Sequence, residues 1–161
     1  MRRTMLMTAA LVLAWAVGPS GGGDKPDPMA AAIHRPSDLV WQDGPPSLPP
    51  GAKITILEGD PGKPGPFVFR VKVPDGYKIA PHTHPKPERV TALSGSFHLG
   101  MGDKFDPKHA QELPAGTYGT WPAGMKHFVW AKGETVLQFH GEGPWVINYL
   151  NPADDPRSTK K

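Results

Sequence analysis

Glycine and proline limit what this chain can fold into. They number 19 and 21 among 161 residues, and each one inside a helix costs about 1–3 kcal/mol. A helical bundle is therefore excluded, and past about Leu39 no stretch of ten residues sustains a 3.6-residue period. Collagen is excluded too, because the glycines do not recur at every third position. Cysteine is absent, which removes a disulfide scaffold, a thiolate zinc site and a cysteine nucleophile together. The length suits one domain. Many short strands joined by turns remain.

The strands show as alternation. Phe67, Phe69, Val71 and Val73 fall on one face, and Val68, Arg70 and Lys72 on the other, the period-two pattern of a half-buried strand. Residues 54–57, 89–93, 117–121, 126–131, 135–140 and 145–150 read likewise. Between them stand the turn signals Pro74-Asp75-Gly76, Pro122-Ala123-Gly124, Lys132-Gly133-Glu134 and Gly141-Glu142-Gly143-Pro144. Such spacing predicts an all-β sandwich or barrel, with jelly rolls among the options.

The N-terminus has a different pattern. Arg2 and Arg3 precede an apolar run over 5–17, broken only by Thr8, and Ala14-Trp15-Ala16 offers a small-x-small cleavage site. That is the form of a secretory signal peptide. The run is short of the roughly 20 residues that span a bilayer, so no stable membrane anchor is expected. The reading is a signal peptide over 1–20, a Pro/Gly-rich linker over 21–37, a domain over 38–152 and a charged tail over 153–161. The product would be periplasmic or secreted. The net charge of +3 comes from the two ends, with no basic stripe between them, so no nucleic-acid partner is expected.

Chemistry concentrates in the histidines. His82 and His84 stand at i and i+2 in Pro81-His82-Thr83-His84, a spacing that puts both imidazoles on one face of a strand. Glu88 follows the stiff link Pro85-Lys86-Pro87, and His127 comes three residues after Gly124. Three neutral imidazoles and one carboxylate make a mixed N and O site of borderline softness. Reference pKa values put imidazole in competition with protons near pH 6.5 and make Glu88 the last ligand to protonate. No catalytic acid, base or nucleophile can be assigned beyond this set. Lys78 would share the face of His82 and His84 if one strand ran unbroken from Tyr77, and reads as a rim charge.

These residues carry a resemblance. Gly76-x5-His82-x-His84-x3-Glu88-x6-Gly95 is similar to the first cupin motif at every fixed position, and Gly116-x5-Pro122-x-Gly124-x2-His127 to the second. Ala131 stands where the second motif ends in Asn. The chain resembles the small single-domain cupins, which implies a double-stranded β-helix, an RmlC-like jelly-roll barrel. It also implies that His82, His84, Glu88 and His127 hold a divalent transition metal, one of Fe, Mn, Ni, Cu or Zn. The function implied is a metal-dependent dioxygenase-like or isomerase-like reaction on a small organic substrate. The alternative is a barrel that binds a metal or small ligand without turnover. Small cupins commonly form homodimers, and Trp41, Trp145 and the Pro-rich arm over 43–50 are the candidates to cover a neighbouring subunit. Among the other histidines, His34 and His109 read as solvated and His140 as exposed. The direction of His98 is unreadable behind Gly95-Ser96.

Overall fold

Alternation alone places one core strand, Gly65–Val73. A computed structural model describes residues 31–158; the expected signal segment, most of the linker and the last three residues lie outside them. The unit His34–Lys161 holds every strand among the described residues: β1 (Gln42–Asp43), β2 (Lys53–Gly59), β3 (Gly65–Val73), β4 (Lys78–Thr83), β5 (Glu88–Met101), β6 (Gln111–Pro114), β7 (Tyr118–Trp121), β8 (His127–Gly143) and β9 (Asn148–Tyr149). Phe67, Phe69, Val71 and Val73 are buried as the pattern requires. Phe69 lies opposite Phe139 across the β3–β8 ladder, and their rings stack 5.1 Å apart. The only helices among the described residues are three single 3₁₀ turns, each beginning on a proline. None is long and apolar enough to cross a membrane.

All strand pairs are antiparallel. They run β1-β2-β3-β8-β4-β9, with β5 on β8 and carrying both β6 and β7. No pairing joins the ends of this path. The all-β expectation holds, but the jelly-roll barrel does not: the sheet is open. The reason lies in its margins. β1 and β9 have two residues each, and prolines crowd beside them at 45, 46, 49, 50, 144 and 152. Proline lacks the N–H that a further ladder would need, so it blunts a sheet edge.

Two turn readings, Lys132-Gly133-Glu134 and Gly141-Glu142-Gly143-Pro144, and one strand reading are also corrected, since β8 continues to Gly143. Lys132-Gly133-Glu134 is not a turn, because β8 runs straight through it. Between the pairs Ser94↔Val136 and Ser96↔Lys132, β8 has three residues where β5 has one, Gly95. This bulge suits glycine at both strands, since Gly95 and Gly133 have φ of 75° and 72°. The bulge also reverses the side-chain parity of β5: Val90 and Ala92 are buried before it, Phe97 and Leu99 after it. The stretch read over 145–150 pairs only at Asn148–Tyr149.

Candidate metal centre

The strand ends bring the four chemistry-bearing side chains to one place. His82 near the end of β4 pairs with His127, the first residue of β8. His84 lies one residue beyond β4, and the Pro85–Pro87 link returns the chain to Glu88, which opens β5. All four are buried, none more than 6% exposed. The His82 ring centroid is 4.2 Å from that of His127 and 5.0 Å from that of His84. One ligand nitrogen from each of the three histidines lies within 4.8 Å of the others. Glu88 flanks this cluster, with Oε1 at 3.4 Å from His84 Nε2 and Oε2 at 3.9 Å from His127 Nε2.

Backbone carbonyls decide which nitrogen is free. His82 Nδ1 donates to Ala80 O at 2.8 Å, His84 Nδ1 to Val146 O at 2.7 Å and His127 Nδ1 to Met125 O at 3.0 Å. A carbonyl only accepts, so each Nδ1 carries the proton and each Nε2 keeps its lone pair. His84 Nε2 is buried with no hydrogen-bond partner. An orphaned lone pair of this kind is costly unless something fills it. Three neutral imidazoles with outer hydrogen bonds to carbonyls are the donor set of a borderline divalent cation. His82, His84 and His127 form a divalent-metal-binding site.

Burial orders the titrations against the sequence expectation. Desolvation, helped by the His127 and His84 charges, pushes His82 down to about 3. Desolvation alone brings His84 to about 4, and it lowers His127 as well. The same burial raises Glu88 to about 7, against the pull of the Trp145 hydrogen bond and His127. Without a metal, Glu88 is thus the first of the four to protonate. Reference values fail here because each group leaves water on folding.

Behind the ligands lies a cavity of about 30 Å³, room for about two waters. Its wall is apolar, built from residues such as Val71, Phe97, Val129, Leu137 and Phe139. Ala131 contributes to that wall, buried at the position where the cupin motif has Asn. Trp145, read from sequence as a cover for a neighbouring subunit, instead belongs to the site. Its Nε1 donates to Glu88 Oε1 at 2.8 Å, and its ring stacks 5.6 Å from that of His84. Its distance in sequence from either motif hid this, and only the Gly-Pro before it hinted at a returning turn.

The remaining candidates fall elsewhere. A register shift in β4 between Ile79 and His82 breaks strand parity. Ile79 therefore faces the cavity, and Lys78 points outward with its ammonium 5.5 Å from the Phe105 ring. His98 is buried against Trp130, the rings stacked at 3.8 Å, with Nδ1 unpartnered. His140 is half-buried rather than exposed, 6.1 Å from the Tyr118 ring. His34 and His109 are exposed.

An open antiparallel sheet that carries three buried imidazoles at the cupin spacing defines a cupin-type metalloprotein. Residues 29–146 match the model of the ChrR cupin-like domain family, and the chain belongs to that family. Comparison with curated proteins finds no match. Among solved structures, the polyketide cyclase RemF from Streptomyces resistomycificus is similar over 80% of this chain and 90% of its own, at 18% identity and a TM-score of 0.62. An acetylacetone dioxygenase from Acinetobacter johnsonii is similar over 82% and 85%, at 15% identity and a TM-score of 0.59. KdgF from Halomonas sp. is similar over 77% and 98%, at 16% identity and a TM-score of 0.52. At such identities the likeness is one of fold.

Proposed function

We propose that the chain is an exported metal-dependent enzyme that acts on a small organic molecule, with Glu88 joining His82, His84 and His127 around one divalent transition metal. The observation that carries this reading is the orphaned His84 Nε2, aimed at Glu88 and at two further imidazoles whose tautomers are fixed. A metal held there would supply Lewis acidity to a polar group of the substrate. Glu88 is the cavity's only carboxyl group. Burial raises it to about 7 while the site holds no metal, so joining the metal would release that proton near neutral pH. Trp145 fixes the orientation of Oε1, and the apolar wall keeps bulk water away. Fold likeness to a polyketide cyclase and an acetylacetone dioxygenase supports oxygenase- or isomerase-type work on a diketone or phenol.

A second reading is metal binding without turnover, and the small cavity favours it. Both are tested by metal analysis of the purified protein, followed by oxygen uptake and product analysis with diketones and phenols. Turnover that tracks metal content supports the enzyme. Tight metal with no turnover supports the binding reading, and protein without metal overturns both.

A further inference from the structure

We infer that Trp145 is the specificity-determining residue of the metal centre, setting the largest molecule that can reach the three histidines. This rests on the reading above that a small molecule enters beside the metal. The inner cavity holds about two waters, too little for an organic substrate as the side chains stand. Outside it lies a shallow surface pocket lined by Phe67, Pro85, Pro87 and Pro144. The two share only His84 and Trp145, so these two side chains are the wall between the metal centre and that pocket; Leu48 separates the cavity from a second surface pocket along the Pro-rich arm. His84 is a ligand and is held at Nδ1 by Val146 O. Trp145 is the movable part.

Its surroundings agree. Of the residues lining the cavity, only Ile79, Trp130 and Trp145 are not fully buried, and the first two sit on β4 and β8. Trp145 lies on the connection between β8 and β9, whose backbone is tied down. Trp145 N donates to Pro61 O at 2.7 Å, and Lys86 Nζ donates to Gly143 O. Room must therefore come from the indole turning about its own side-chain bonds. One hydrogen bond, to Glu88 Oε1, the stack on His84, an edge contact with Phe69 and a tilted contact with Phe139 hold it.

The test uses the full chain loaded with Co(II), whose visible spectrum reports added ligands. Azide, imidazole and 4-phenylimidazole serve as probes of rising size. In the parent protein azide should bind and 4-phenylimidazole should not. Trp145→Ala should raise affinity for 4-phenylimidazole relative to azide by at least about tenfold, the scale of a methylene or two of pocket fit. Trp145→Leu, which keeps apolar packing in case the alanine variant fails to fold, should give a smaller gain in the same direction. Trp145→Phe, which loses the N–H but keeps an aromatic ring, should leave the size limit nearly in place. An unchanged probe ratio in both Ala and Leu variants overturns the assignment while leaving the metal centre standing. Failure of azide itself to alter the Co(II) spectrum in any of the proteins overturns the reading beneath it, and the assignment with it.

Discussion

At the scale of single residues, the three carbonyl hydrogen bonds commit each Nε2 to a metal before one arrives. Losing an outer partner of a metal ligand typically costs about 10–100-fold in affinity, so His82→Ala should cost at least that, measured by competition with a chelator. Thr83, half-buried on the other side of the strand, should tolerate Thr83→Val with metal content unchanged. Equal metal loss in both variants would count against the strand-face assignment. The metal-free protein should also show a distinctive pH response. His82 and His84, at about 3 and about 4 in the fold and about 6.5 unfolded, stabilise the fold above 6.5 and lose that contribution as pH falls toward 4. Glu88, raised to about 7, does the reverse, stabilising below its ordinary range and ceasing to as pH rises through 7. The thermal midpoint of chelated protein should peak between about pH 6 and 7, and Glu88→Gln should abolish the decline on the alkaline side. A midpoint that climbs steadily to pH 8 in the parent would contradict the buried carboxyl. The spacing of His82, His84, Glu88 and His127 made the cluster legible in the sequence. Trp145 was not, because its role depends on a connection after β8 folding back over Glu88.

At the scale of elements, the β5–β8 bulge sets which side chain of β5 beyond Gly95 lines the cavity, namely Phe97. Gly95 has a positive φ, and a Cβ on it would lie 2.4 Å from Glu134 O and from Thr135 Oγ1. Gly95→Ala combines overpacking and backbone strain, each about 1–3 kcal/mol. It should lower the urea midpoint by an amount worth at least about 2 kcal/mol on those scales. Gly100→Ala tests packing alone, because its φ is ordinary but a Cβ would meet the Phe128 ring at 1.9 Å. A neutral Gly95→Ala would show that the bulge does not need glycine. Strands with an apolar face, such as β3, were legible from period two. β6 was missed because Gln111-Glu112-Leu113-Pro114 offers one buried side chain, Leu113. β8 was split in two because Lys132-Gly133-Glu134 has turn chemistry, and a bulge uses the same residues as a turn. The parity of β5 beyond Gly95 followed from that bulge, so the burial of His98 was out of reach as well.

At the scale of the whole molecule, the core of the open sheet is an apolar cluster, which predicts a fold that persists without the metal. A bound cation at a hundred times its Kd adds about 2.7 kcal/mol, so chelation should lower the thermal midpoint by several degrees and leave a cooperative transition. A midpoint indifferent to chelator would mean that no metal is held; loss of any transition would mean that the core depends on it. The apolar run over 5–17 supports export, which predicts protein from the periplasmic or secreted fraction shortened by about 16–20 residues; an intact N-terminus there would count against cleavage. Closure of the domain falls to one strand. The β2–β3 hairpin and the β5–β6–β7 set pair among neighbours in sequence, whereas β8 alone joins β3, β4 and β5. The chain cannot join its halves until residues 127–143 pair, and distant pairing of this kind is slow because the intervening loops must close first. His127 is the first residue of that strand. A cation offered to the partly folded chain meets two of the site's imidazoles, and the third arrives only with the strand that joins the two halves, so full metal affinity should wait for that long-range pairing.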